Sequence, residues 1–310
     1  MNNDSNIAPT LVIPRLTEEY IRDGLKSLDW YTLYAPDVVL NFHWPDAVLF
    51  TLLAHVKKPK HILDLGSYFG ILPFVVEEIS RINNCPESFD WTLIDSCLFT
   101  KELAAVVKGE ITLSSHYLNN YHLNTWHCRG TGQSWKENVL FKRIGNYYLP
   151  PSTPLEFENY WSSLATHYKI PKPSMRMFES IEEVQDTKFD LVHFDLAAGD
   201  YQVNKEMFNL ISVHKLNNGG IIVFDDMRPQ HPNMLLLFQY ILATSDFRPI
   251  AFSTGKIAMM RKKYKAEFIL NVENAGLREI NLQYRDNYYS FAVNGGRDTE
   301  WGDFLDLRAN

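Results

Sequence analysis

The sequence predicts an α/β chain built on a doubly wound, mostly parallel sheet. Strand-like and helix-like runs alternate from about residue 61, the pattern of a sheet with helices on both faces. The first strand-like run enters a turn with two glycines that opens a helix. The last two runs adjoin through Ser253-Thr254-Gly255 and read as an antiparallel hairpin.

Taken in order, TEEYIRDGLKSL (17–28) opens on Thr17 with acids in its first turn and reads as a helix. PDAVLFTLLAHV (45–56) follows, with Pro45 and Asp46 suited to a helix start. HILDL (61–65) is the first strand and ILPFVVEEISRI (71–82) its helix. DWTLID (90–95) is the second strand, followed by the helical FTKELAAVVKG (99–109). RMFESIEE (176–183) resumes the sheet, and FDLVHFDL (189–196) is a strand with YQVNKEMFNLISVHKL (201–216) as its helix. GGIIVFDD (219–226) is a strand, NMLLLFQYILATS (233–245) a helix, and RPIAFSTGKIAMMRK (248–262) the hairpin. That makes seven strands. Residues 111–174, rich in Tyr, Trp, His and Asn, break the alternation and read as an insertion, a lid or substrate wall on one reading and a plain surface excursion on the other. Beyond 266, FILNV and YYSFAV are strand-like. The expected division is an N-terminal helical extension (1–57), a core (58–265) carrying the insertion at about 111–174, and a C-terminal extension (266–310).

Composition narrows the function. The 310 residues carry a formal net charge of −7 and a pI near 5.8. General nucleic-acid binding needs surplus Lys and Arg, so that class is not expected. The basic runs KKPK (57–60) and RKKYK (261–265) read as solvated strand ends. Cys85, Cys97 and Cys128 show no paired spacing, which suits a reducing, cytoplasmic setting and gives no zinc signature. MNNDSNIAPT shows no secretory leader, and no apolar run reaches the ~20 residues of a bilayer span, so no membrane partner is expected.

The chemistry gathers at strand ends. In HILDLGSYFG, Gly66 and Gly70 permit positive φ and close backbone approach, and a helix N-terminus behind them favours a polar ligand. Asp64 just before the turn suits an ammonium better than a pyrophosphate, and the spacing is not G-x-G-x-x-G. Asp95 ends the second strand, where an acid holds both ribose hydroxyls of a nucleoside or caps the next helix. Together these favour a nucleoside with a positive charge near Asp64, a description S-adenosylmethionine fits.

DLGSYFG also resembles the first motif of class I S-adenosylmethionine-dependent methyltransferases, in the form seen in the catechol O-methyltransferase-like group, with Tyr68 in the place of a middle glycine. FESIEE, with Glu179 and Ser180, resembles the segment beside the adenine ring. FDLVHFDLAAGDY with LNNGGIIVFDD resembles the bacterial small-molecule O-methyltransferases. The likeness covers roughly 60–262. It implies a Rossmann-like methyltransferase fold, a small-molecule acceptor, and a cofactor site of Asp64, Gly66, Ser67, Tyr68, Gly70, Asp95, Glu179, Ser180 and Asp195.

Three carboxylates, Asp195, Asp225 and Asp226, end two strands. If they converge they repel unless protonated or bridged by a cation, and oxygen ligands suit Mg2+, Ca2+ or Mn2+. The resemblance implies a divalent cation, Mg2+ first, bound at these positions. Asp195 and Asp200 are the catalytic candidates; Asp200 is equally a further ligand or the N-cap of the helix from Tyr201. The family places a His or Lys three residues after the first aspartate, and this chain has Ala198 there. His193 reads as a packed strand residue and Lys256 as a surface hairpin lysine, although either could reach the site. Two alternatives stay open: a catalytically silent binding or assembly module, and other metal-dependent chemistry, as in cephalosporin-hydroxylase-like relatives.

Overall fold

The computed structural model describes residues 44–67, 70–82, 88–98, 101, 104, 105, 108–110, 142–144, 147–149, 151–168, 170–196, 200–227, 229, 231–253, 256–274, 279–284 and 287–293. Its elements are α1 (Trp44–Lys57), β1 (His61–Leu65), α2 (Leu72–Ile82), β2 (Asp90–Ile94), β3 (Lys142–Ile144), β4 (Tyr147–Leu149), α3 (Pro154–Tyr168), β5 (Ser174–Phe178), β6 (Phe189–Phe194), α4 (Tyr201–Leu210), β7 (Leu216–Phe224), α5 (Pro232–Thr244), β8 (Phe247–Ser253), β9 (Lys256–Arg261), α6 (Lys262–Asn274), β10 (Glu279–Tyr284) and β11 (Asn287–Val293).

One nine-stranded sheet runs β10-β11-β8-β9-β7-β6-β1-β2-β5. The five strands β5, β2, β1, β6 and β7 are parallel neighbours, and β9, β8, β11 and β10 add on antiparallel. The seven expected strands are present, and β10–β11 extends their edge. From β1 the chain works outward through β2 to β5, then returns to lay β6 and β7 on the other flank of β1. The strand order therefore reverses between β1 and β6. In open α/β sheets, ligands bind outside the carboxyl ends of strands at such a reversal.

Side-chain alternation divides the core in two. Ile62, Leu191, Ile221, Val223, Ala258 and Met260 face one side, buried with Phe50 and Leu53 of α1, Phe74 and Val75 of α2, Phe157 and Trp161 of α3, and Phe268 of α6. Leu63, Val192, Phe194, Ile222, Phe224 and Met259 face the other, under Phe208 of α4 and Leu237 and Phe238 of α5. Every second residue of a strand thus serves a different helical layer, and both layers exclude water.

Two readings change. Residues 154–168, inside the stretch set apart as an insertion, form α3 and bury Phe157, Tyr160, Trp161 and Leu164 at i, i+3, i+4 and i+7. This is a core helix leading into β5; β3 and β4 form a separate two-stranded sheet, and 111–141 lie outside the described residues. FILNV belongs to α6, where Phe268 and Ile269 are buried and Leu270 is exposed, a helical distribution that an apolar triplet hides. The run RKKYK spans the β9–α6 junction, and its Lys265 is buried. YYSFAV is the strand β11. The helix expected at 17–28 lies outside the described residues. Among the described residues no helix is long and apolar enough to cross a membrane.

Candidate active site

The site begins as a row of side chains across four adjacent strands. Asp64 on β1 sits opposite His193 on β6 in the parallel register. His193 pairs with Val223 of β7, and Phe224 with Ile257 of β9, so Asp225 and Lys256 come next on the same face. His193 Nδ1 lies 2.8 Å from Asp64 Oδ1, and Lys256 Nζ lies 3.2 Å from His193 Nε2 and 2.5 Å from Asp225 Oδ2. All four are buried: Asp64 and Lys256 are 1% exposed, His193 and Asp225 4%. The ring of Phe50, from α1, stands edge-on to His193 with centroids 5.9 Å apart.

The hydrogen-bond pattern fixes a tautomer. An ammonium only donates, so His193 Nε2 accepts from Lys256 and the ring proton sits on Nδ1, where it donates to Asp64. The row is one directed chain of polar contacts.

Asp195 lies two residues past His193 and is half-buried. One donor atom each from His193, Asp195 and Asp225 fit within 4.8 Å of one another. Burial, then the negative charge of Asp225, pushes the Asp195 carboxyl well above the usual carboxylate range. Burial also works to raise Asp225, but the Lys256 ammonium and the Asp226 amide outweigh it and hold the group below that range. Two neighbouring carboxyls are thereby driven apart, one toward the neutral form and one toward the ionised form.

The glycine turn lies beside this row. Gly66 has φ +75°, and a Cβ there would stand 1.7 Å from the backbone oxygen of Asp195; Gly70 has φ +65°, and its Cβ would stand 2.7 Å from side-chain atoms of Leu93 and Trp161. Protein neighbours alone account for both glycines. The ligand signal comes from the residues about Gly66: among the described residues, Asp64 Oδ2 and Ser67 Oγ are buried with no hydrogen-bond partner. A carboxylate oxygen and a hydroxyl left unpaired in the interior cost on the order of 1–3 kcal/mol each. Both sit at the switch point, and a ligand ammonium donating to Asp64 relieves that cost. The turn therefore fits the amino end of S-adenosylmethionine. Tyr68 lies outside the described residues.

Further along the carboxyl edge, Ile94 of β2 pairs with Phe178 of β5, which brings Asp95 and Glu179 side by side. Asp95 Oδ1 accepts from Cys97 N at 2.7 Å, a turn contact of the capping kind. Glu179 pairs with Lys101 Nζ at 2.7 Å. Ser180 caps the single turn Ile181–Glu183, its Oγ accepting from Glu182 N. Asp200 is the N-cap of α4, its Oδ1 accepting from Gln202 N at 2.9 Å and Val203 N at 3.1 Å, and it is exposed. Ala198 lies outside the described residues.

Asp226 does not join the compact group of donor atoms. It has φ +56°, donates its amide to Asp225 Oδ1 at 2.7 Å, and sets its own Oδ1 3.4 Å from His231 Nε2. Both nitrogens of His193 and both oxygens of Asp225 already meet protein donors or acceptors. As these side chains stand, the set fits the ammonium within it, not an added divalent ion.

His193 and Lys256 are the site members that the sequence reading set aside. Lys256 is buried, not a surface residue of the hairpin. One signal could have found it: the first residue of an antiparallel strand lies against the last residues of its parallel neighbour, and that neighbour ends in Asp225-Asp226.

No family model matches the chain, and no curated protein does. Among solved structures, the SAH-bound methyltransferase PaMTH1 of Podospora anserina is 12% identical, with a TM-score of 0.44 over 77% of this chain and 87% of that one. The O-methyltransferase TomG of Streptomyces achromogenes, involved in tomaymycin synthesis and solved with SAM, is 12% identical, with a TM-score of 0.39 over 90% and 91%. An O-methyltransferase from Bacillus cereus in complex with SAH is 11% identical, with a TM-score of 0.39 over 92% and 94%.

Proposed function

We propose that this chain is an S-adenosylmethionine-dependent methyltransferase acting on an oxygen of a small molecule. The observation that carries the reading is the pair of orphaned buried groups, Asp64 Oδ2 and Ser67 Oγ, at the point where the strand order reverses. The cofactor, when bound, supplies a methyl group already activated on a sulfonium. The chain's own work is then to align and to hold charge. Asp64 accepts from the cofactor ammonium through Oδ2, while His193 fixes its other oxygen. Asp95, beside Glu179 at the edge, is placed for ribose hydroxyls. Asp195, grouped with His193 and Asp225 at the strand ends, would take the proton of the acceptor hydroxyl when it is ionised.

A small acceptor, a cytoplasmic setting and a possible homo-oligomer belong to the same proposal; the net charge of −7 supports the exclusion of general nucleic-acid binding. A second reading adds a divalent cation on the acceptor oxygen. The close grouping of His193, Asp195 and Asp225 favours it, and the ion pair of Lys256 with Asp225 weighs against it.

Calorimetric titration with S-adenosylhomocysteine tests the cofactor. Asp64→Asn is expected to weaken binding by about tenfold or more, the scale of one lost charge-assisted hydrogen bond. Unchanged affinity in both Asp64→Asn and Asp95→Ala would sink the proposal. Single-turnover methyl transfer to hydroxylated metabolites separates an enzyme from a silent module on the same fold.

A further inference from the structure

We propose that Lys256 is the resident cation of this site: its ammonium, set between Asp225 and His193, holds the place where a divalent ion would sit, and the chain binds its cofactor without that ion. The inference deepens the methyltransferase reading and rests on it only for what the site serves.

Three observations carry it. Lys256 is the first residue of β9, and the antiparallel register delivers it to the end of β7, where the acids stand. It is 1% exposed, and a lysine is almost never so buried unless it is paired. Its contacts use the atoms an ion would need, Asp225 Oδ2 at 2.5 Å and the lone pair of His193 Nε2 at 3.2 Å. A dication bound by the same atoms would stand within a few ångströms of the ammonium, and their repulsion would be strong in a dry interior.

Charge points the same way. Asp64 and Asp225 bring two negative charges, and Lys256 with a cofactor ammonium brings two positive ones. Across these contacts the charges balance without a dication. Lys256 also acts at a distance. It orients His193, which orients Asp64, so it is a positioning residue for the cofactor's amino end.

The full chain, stripped with EDTA, is titrated with MnCl2 and free Mn2+ is read by electron paramagnetic resonance. Wild type is expected to take up no Mn2+ in stoichiometric amount. Lys256→Met, with Asp195 and Asp225 left uncompensated, is expected to bind Mn2+ at least about tenfold more tightly than wild type, and adding Asp225→Asn is expected to remove that gain. Lys256→Arg keeps a cation and is expected to behave as wild type. Stoichiometric Mn2+ binding by wild type overturns the proposal, as does a wild-type melting temperature that falls in EDTA and recovers with Mg2+; neither measurement needs a variant that must fold. S-adenosylhomocysteine titrated in EDTA is a separate arm. Binding that appears only after Mg2+ is added overturns the resident-cation proposal. Absence of binding with or without Mg2+ overturns the methyltransferase reading and leaves the Mn2+ result to stand alone.

Discussion

Single residues at the switch point are constrained from opposite sides. Gly66 is held by its own protein: a Cβ there would collide with the Asp195 carbonyl, a backbone atom that cannot step aside without moving the end of β6. Gly66→Ala is therefore expected to lower stability by about 3 kcal/mol or more, measured as the shift in urea midpoint. Gly70→Ala meets side chains of Leu93 and Trp161 instead, which can shift, and is expected to cost less in the same experiment. On the proposed function, Asp64 and Ser67 are held for a ligand, so substitutions there should move cofactor affinity more than stability. This difference was only partly legible in the sequence. Asp64, Asp95, Asp195 and Asp225 could be placed because each lies at or beside the end of a strand, and ends of parallel strands share an edge. Lys256 and His193 were within reach of that edge but were not assigned to it. Their roles depend on which strand neighbours which, and on a register that no local run of residues states.

At the scale of elements, helix α2 carries a group whose titration reports on packing. Glu77 accepts from Trp91 Nε1 at 3.1 Å, and burial, against those hydrogen bonds, pushes its carboxyl from 4.5 up to about 7. The folded form thus keeps a proton that the unfolded chain releases near pH 4.5. Where the native state binds more protons, stability falls as pH rises. Its contribution is complete below about pH 4.5 and is lost through about pH 7, a loss on the order of 3 kcal/mol. Glu77→Gln keeps an oxygen for Trp91 and cannot ionise. Relative to wild type it is expected to gain stability between pH 5 and pH 8, read from paired urea curves at those two values. A constant difference across that range would show that Glu77 does not titrate there. Helix α3 teaches a related lesson about legibility. Its buried Phe157, Tyr160, Trp161 and Leu164 follow a helical spacing. The aromatic and polar residues before them set a composition typical of a loop, and a boundary drawn by composition swallowed the helix.

For the whole molecule, the position of α1 decides what counts as an extension. The expected boundary at residue 57 leaves α1 outside the core, yet Leu49, Phe50, Leu52, Leu53 and Ala54 are all buried in the layer beneath the sheet. Phe50 also closes the polar row over His193. A helix in that position does two jobs at once: it covers apolar strand residues, and through Phe50 it packs against the His193 ring of the row. Removing residues 1–57 would delete four large buried side chains, Leu49, Phe50, Leu52 and Leu53, each worth about 1.5–3 kcal/mol of burial. Their sum is on the order of 10 kcal/mol, comparable with the whole stability of an ordinary domain. It would also uncover the His193 ring on the edge that Phe50 now faces. The truncated chain is therefore expected to lose its cooperative thermal transition by circular dichroism, with S-adenosylhomocysteine failing to restore it. A truncated protein that melts cooperatively near the wild-type temperature would mean that α1 is an appendage, and that the sheet with its remaining helices holds the acid-and-lysine row closed without it.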